Sequence, residues 1–346
     1  MIRKKYLVGI LLSVTALFLF VPIAMAHAPL GTGDNEKIGT AAIIPDPTKS
    51  WAIYSALNKD GDPQYYTFNV SAGQKIHVLL FKAIRSDEPS FEPTVALMGP
   101  SITGRGTVPE KVTVPAGASI LVVSSGHQNA TYEPFSPGSF YALSDETVAS
   151  PVSGTYYIVV YEGSATPTGG HYGLAVGDRE TYTIDEWILI PLSLLNIFQW
   201  EGQNIALILV PMIATLTVGI ILVAWALSKR RNLSNGMAWL GSTAGLLFVG
   251  SGAITLYQMS FSIMQSYLSS EVLITLVFAV IPIVLGILAL RLSLKHMEKL
   301  RVRKRIYLAI LGVAALFIWA GLFVGPALAI IASIIPTRLR KMGSPT

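Results

Sequence analysis

The chain has 346 residues and no cysteine, which excludes disulfides, thiolate metal sites and cysteine nucleophiles. Charge is also scarce: Asp, Glu, Lys and Arg make up 13% of residues, against 52% hydrophobic residues and a mean hydropathy of +0.55. A soluble domain carries about 25% charged residues, so a wholly soluble chain is a poor fit. Enzyme signatures are missing as well. There is no Gly-x-Ser-x-Gly elbow, no His-Glu-x-x-His, no phosphate-binding loop and no dinucleotide glycine pattern after a strand. Asn58 to Asp62 starts like a calcium loop, but Pro63 stands where glycine is needed and Asn69 where the bidentate Glu belongs, so it reads as a polar turn.

What is present divides the chain. Arg3, Lys4 and Lys5 precede an apolar run, and Ala24-Met25-Ala26 is a small-x-small cleavage pattern, so residues 1–26 read as a signal peptide and His27 as the mature N-terminus. Residues 27–186 hold nine Lys and Arg against seventeen Asp and Glu; the remainder holds sixteen against three. The overall +5 is therefore the sum of an acidic exported part and a basic part elsewhere. Nucleic acid is excluded as a partner, because its phosphates need clustered cations on the folded surface.

The acidic part has the texture of short strands between Gly, Pro, Asn and Asp turns. Tyr66, Phe68 and Val70 alternate onto one face, and the turn at Ser71–Gly73 leads into Lys75–Phe81, which predicts a hairpin. Further strands are expected at Trp51–Leu57, Thr94–Met98, Lys111–Val114, Ser119–Val123, Thr155–Tyr161 and Tyr172–Val176. Together they predict one all-β antiparallel sandwich over residues 27–186. The runs beginning Asp62-Pro-Gln-Tyr-Tyr-Thr-Phe-Asn-Val-Ser-Ala-Gly, Pro93-Thr-Val-Ala-Leu-Met-Gly-Pro, Gly154-Thr-Tyr-Tyr-Ile-Val-Val-Tyr and Gly170-His-Tyr-Gly-Leu resemble the pre-peptidase C-terminal type of jelly-roll domain over roughly residues 50–177. That resemblance implies a non-catalytic extracellular binding module. Residues 101–148, rich in Pro and Gly, are then the expected recognition loops.

Four apolar stretches follow, at 205–228, 237–257, 272–294 and 306–336, each long enough to cross a hydrocarbon core, so a four-helix transmembrane domain is expected over 205–336. Lys229-Arg230-Arg231 and the basic residues between Arg291 and Arg305 belong inside by the positive-inside rule, and the Lys- and Arg-free stretch 258–271 outside. Four crossings would put the tail, 337–346, outside although Arg338, Arg340 and Lys341 are basic; the last stretch has 31 residues with Gly325-Pro326 inside it and can kink, tilt or turn back, so the side of the tail stays open. Residues 187–204, with Ser193, Asn196 and Gln199 at spacing three and Trp187 and Trp200 at either end of the run, are expected to lie in the membrane interface, the alternative being that Trp187–Trp200 is the early part of the first span. Gly241, Gly245 and Gly252 form a small-residue face for close helix contact.

The candidate metal ligands are His27, His77, His127 and His171. A new N-terminal His27 supplies an amine and an imidazole together, and with a second histidine makes a three-nitrogen site suited to copper. This is similar to the histidine brace of lytic polysaccharide monooxygenases, periplasmic copper carriers and the copper subunit of membrane ammonia and methane monooxygenases. Two functions are therefore expected of a multi-pass cell-membrane protein with an extracellular or periplasmic front. One is non-enzymatic binding of a ligand or of partner subunits in a membrane complex. The other is copper carriage through His27.

Overall fold

The structure is a computed structural model and describes residues 27–123, 126, 129–230, 233, 235–295 and 301–335. The expected signal peptide, His127 and the basic tail lie outside these residues. Most of the described residues fall into two compact units, 27–203 with 262–269, and 204–261 with 270–335.

The first unit contains two β-sheets. Its strands are β1 (Ala28–Pro29), β2 (Ala42–Ile43), β3 (Trp51–Leu57), β4 (Gln64–Val70), β5 (Lys75–Ala83), β6 (Pro93–Pro100), β7 (Ala118–Val123), β8 (Ala130–Glu133), β9 (Gly138–Ala149), β10 (Gly154–Glu162) and β11 (Gly170–Val176). One sheet has the order β1-β3-β11-β5-β9-β8 and the other β2-β4-β10-β6-β7. The expected hairpin at residues 65–81 is therefore not formed, since β4 and β5 belong to different sheets. Alternation had assigned the apolar faces correctly. Tyr66, Phe68 and Val70 from one sheet and Ile76, Val78 and Leu80 from the other meet in the same buried core. The turn between them is an arch over that core, and alternation alone cannot distinguish an arch from a hairpin.

Two further expectations change. Residues 111–114 form no strand; Val112 instead packs with Tyr65, Ala96, Met98, Val159 and Tyr161 on the outer side of the second sheet. The supposed recognition loops contain β7, β8 and the twelve-residue β9, which leaves 101–117 as the longest loop there. β9 escapes a hydrophobicity reading because Ser144, Asp145, Glu146 and Thr147 sit in a row at its centre.

The strands are followed by helix α1 (Ile184–Trp200), which belongs to the same unit. Thr183 starts it with a capping box: its hydroxyl accepts the Glu186 N–H while the Glu186 carboxylate accepts the Thr183 N–H. Glu186 also pairs with Lys49 Nζ at 2.6 Å, which ties the start of α1 to the segment entering β3.

The second unit is helical. Helices α2 (Ile205–Lys229), α3 (Gly236–Gln265) and α4 (Val272–Leu294) are long and apolar enough to cross a membrane. The expected fourth span is not one helix. It is divided into α5 (Arg301–Leu316) and α6 (Val324–Ile334) by a turn with left-handed backbone at Trp319, Gly321, Leu322 and Phe323. Hydropathy registers length and apolarity, and a run of 31 apolar residues looks the same whether straight or folded. The small-residue face is used within the chain. A Cβ on Gly245 would come 2.8 Å from the Gly286 carbonyl, and one on Gly252 would come 2.5 Å from the Ala279 carbonyl, so α3 and α4 approach at backbone contact.

Candidate functional site

Sheet order brings two of the expected histidines into one neighbourhood. β1 runs parallel to β3 with Ala28 opposite Trp51, β3 runs antiparallel to β11 with Trp51 opposite Val176, and Val176 lies opposite Val78 of β5. One residue further out on each strand gives the row His27, Ser50, Gly177 and His77. His27 Nδ1 shares a hydrogen bond with Ser50 Oγ. Burial pushes the His27 imidazole below its ordinary pKa, and the charge of nearby His77 adds to this, so His27 is held in the neutral form that ligates metals. His77 Nδ1 lies 3.3 Å from the Gly177 carbonyl and its Nε2 lies 3.0 Å from Asp145 Oδ1. Both nitrogens of His77 thus face oxygen atoms, and a metal ion would have to displace one of them.

His171 is elsewhere. It stands at the opposite end of β11 from Gly177, about 20 Å away at 3.3 Å per strand residue. Its Nδ1 lies 2.5 Å from Glu88 Oε1, and its backbone N–H donates to Glu88 Oε2 at 2.7 Å. Glu88 in turn pairs with Arg85 at 3.0 Å. Among the described residues, no three His, Asp or Glu side chains stand close enough together to hold a metal ion.

A second cluster, not anticipated from the sequence, surrounds the end of α1. Trp200 is buried against Tyr54 and Phe81, with ring centroids 5.1 and 5.8 Å away in edge-on geometry, and its indole N–H donates to the Ser55 carbonyl at 3.0 Å. Arg85 Nη1 donates to the Trp200 carbonyl at 3.0 Å, placing a cation at the negative end of the helix dipole. Next in sequence, the Glu201 carboxyl is tucked against Gly138, where a Cβ would collide with it. Gln203 Nε2 donates to Glu201 at 2.9 Å. Burial drives the Glu201 pKa up to about 8, reinforced by the Glu133 charge and opposed by hydrogen bonds from Gln203 and the Ser139 backbone. Tyr54 faces the same acids and is pushed up in turn, chiefly by its own burial. The one signal in the sequence is Glu201 itself, a lone acid between Trp200 and Gly202 in a basic, apolar half of the chain.

No family model matches the chain, and no curated protein matches it. The likeness to pre-peptidase C-terminal domains therefore rests on its strand motifs alone. Among solved structures, one that aligns is MopE, a secreted copper-binding protein of Methylococcus capsulatus, from mercury-soaked crystals. The two are 14% identical, the match covers 45% of this chain and 93% of MopE, and the TM-score is 0.21.

Proposed function

We propose that this is a membrane-anchored binding protein whose β unit is exported and whose helical unit holds it in the bilayer. The observation that carries this reading is the division of one chain into an acidic β unit with its own core and a unit with three helices suited to crossing a membrane. The β unit is read as a jelly roll. Its principal strands alternate between sheets in the order β3-β11-β5-β9 opposite β4-β10-β6-β7, as two Greek keys rolled together do. The role is non-enzymatic capture of a ligand or of partner subunits, with residues 101–117 as the longest connection between its strands. Protease added to cells stripped of any outer envelope is expected to remove the β unit and leave α2 to α4 protected. Survival of the β unit until the inner membrane itself is permeabilised would refute export.

Copper carriage is the second reading, and the closeness of His27 to His77 favours it. A cleaved chain starting at His27 would offer the terminal amine, the His27 ring and the His77 ring as three nitrogens. With the His27 start verified by mass, the full chain in detergent is expected to bind Cu(II) with a sub-micromolar Kd. Either His27→Ala or His77→Ala should weaken it at least ~10-fold, equivalent to about 1.4 kcal/mol. Micromolar binding indifferent to both substitutions would rule copper out.

A further inference from the structure

The broken fourth stretch carries an inference about how the chain ends. α5 and α6 pack side by side in opposite directions. A Cβ on Gly312 of α5 would come 2.9 Å from Ile330, 3.1 Å from the Pro326 carbonyl and 3.2 Å from Ala329, all in α6. At the open end of the pair, Arg305 Nη2 donates to the Ile335 carbonyl at 2.5 Å. The chain that enters near Arg305 has therefore returned to the same level by Ile335.

The depth of this excursion suits half a membrane. The apolar part of α5, 306–316, and the whole of α6 are each eleven residues long. At 1.5 Å per residue each arm is about 16 Å, half of a hydrocarbon core of about 30 Å. At the tip, the left-handed residues have φ of 52° at Trp319, 73° at Gly321, 53° at Leu322 and 63° at Phe323. Irregular backbone persists at membrane depth only where protein serves its polar groups. Here the Gly321 N–H donates to Ser251 Oγ at 2.6 Å, and Gly321 and Gly325 lie against Leu247 and Phe248. Ser251 is at the middle of the 30-residue α3, so the tip reaches halfway along a helix able to cross the membrane.

The cations agree. Arg230, just after α2, donates to the Leu294 carbonyl, and Lys304 of α5 donates to the Lys295 carbonyl. The end of α2, the end of α4 and the start of α5 thus share one level, and the end of α6 comes back to it. From residue 272 onward the chain has ten Lys and Arg and a single carboxylate, Glu298.

We propose that residues 301–335 form a re-entrant hairpin seated in one leaflet, so that the chain crosses the membrane three times and its C-terminus lies on the side of the basic connections. Arg338, Arg340 and Lys341 then obey the same charge rule as Arg230 and Lys304. The absence of cysteine makes the test direct. Single cysteines are introduced in the full chain by Leu233→Cys in the α2–α3 connection, Ser270→Cys in the α3–α4 connection and Ser344→Cys in the tail, and intact cells are treated with a membrane-impermeant maleimide. Ser270→Cys is expected to label at once, and Leu233→Cys and Ser344→Cys only after permeabilisation. Labelling of Ser344→Cys in step with Ser270→Cys would overturn the hairpin. If Leu233→Cys and Ser344→Cys both label from outside and Ser270→Cys does not, the hairpin stands and the proposed export of the β unit falls.

Discussion

Replacing Glu201 by Gln is expected to raise the stability of the β unit at neutral pH, although it removes a hydrogen-bonded side chain. The folded carboxyl has a pKa of about 8, against an ordinary value of 4.5. A carboxyl raised on folding binds more protons in the folded state than in the unfolded one. Stability is therefore unaffected by it below about pH 4.5, falls by up to about 1.4 kcal/mol per pH unit above that, and stops falling near pH 8. By pH 7 the accumulated penalty is about 3 kcal/mol. Gln keeps the shape and hydrogen-bonding capacity of the neutral acid without that penalty. Thermal unfolding of the full chain in detergent, followed from pH 5 to 9, should show the wild-type β transition declining steadily toward pH 8. The Glu201→Gln transition should stay flat and lie above it at pH 7.5. Parallel curves for the two proteins would mean that Glu201 is solvated and that its environment has been misjudged.

Trp200→Ala should have the opposite effect, costing the β unit about 3–5 kcal/mol, the usual range for removing a large buried aromatic residue. The loss combines the cavity between Tyr54 and Phe81 with a Ser55 carbonyl left without its indole donor. It should be local at first. Amides of α1, β3 and β5 are expected to exchange faster, while β4, β6 and β10 of the other sheet keep their protection until global unfolding. Leu192→Ala on the exposed side of α1 is the control and should stay within about 0.5 kcal/mol of the parent. Equal losses for the two variants would show that α1 is not docked through its Trp200 end.

Much of the β unit was legible because burial imposes alternation. Tyr66, Phe68 and Val70, or Ile76, Val78 and Leu80, announce a strand and its inward face without knowledge of any neighbour. Which strand lies beside which is a different matter, set by how the arches cross the core. For that reason the turn at Ser71–Gly73 was mistaken for a hairpin. The candidate site suffered from the same gap. His27 and His77 are fifty residues apart in sequence and become neighbours only through the row of strands β1, β3, β11 and β5. His171, three residues before the inward-facing Leu174 on the same strand, belongs to a different end of the sheet. Glu201 was hidden for another reason: an acid beside a glycine reads as a solvated loop, and only the packing of Trp200 draws it inward. In the membrane part, composition located all four apolar stretches. The fold in the last depends on a few backbone angles around Gly321, to which hydropathy is blind.

The two sheets of the β unit are also joined through polar groups in the interior. The Tyr66 hydroxyl donates to that of Tyr172 at 2.5 Å, Tyr172 donates to Gln64 at 2.5 Å, and Ser55 donates to the same amide at 2.8 Å. Tyr66 and Gln64 belong to one sheet, Tyr172 and Ser55 to the other, so this chain of hydroxyls pins the layers together at a fixed rotational setting. Grease alone would let one layer glide a little over its neighbour; directional bonds, the Tyr66–Tyr172 one fully buried, resist that. The two layers should therefore move as a single plate.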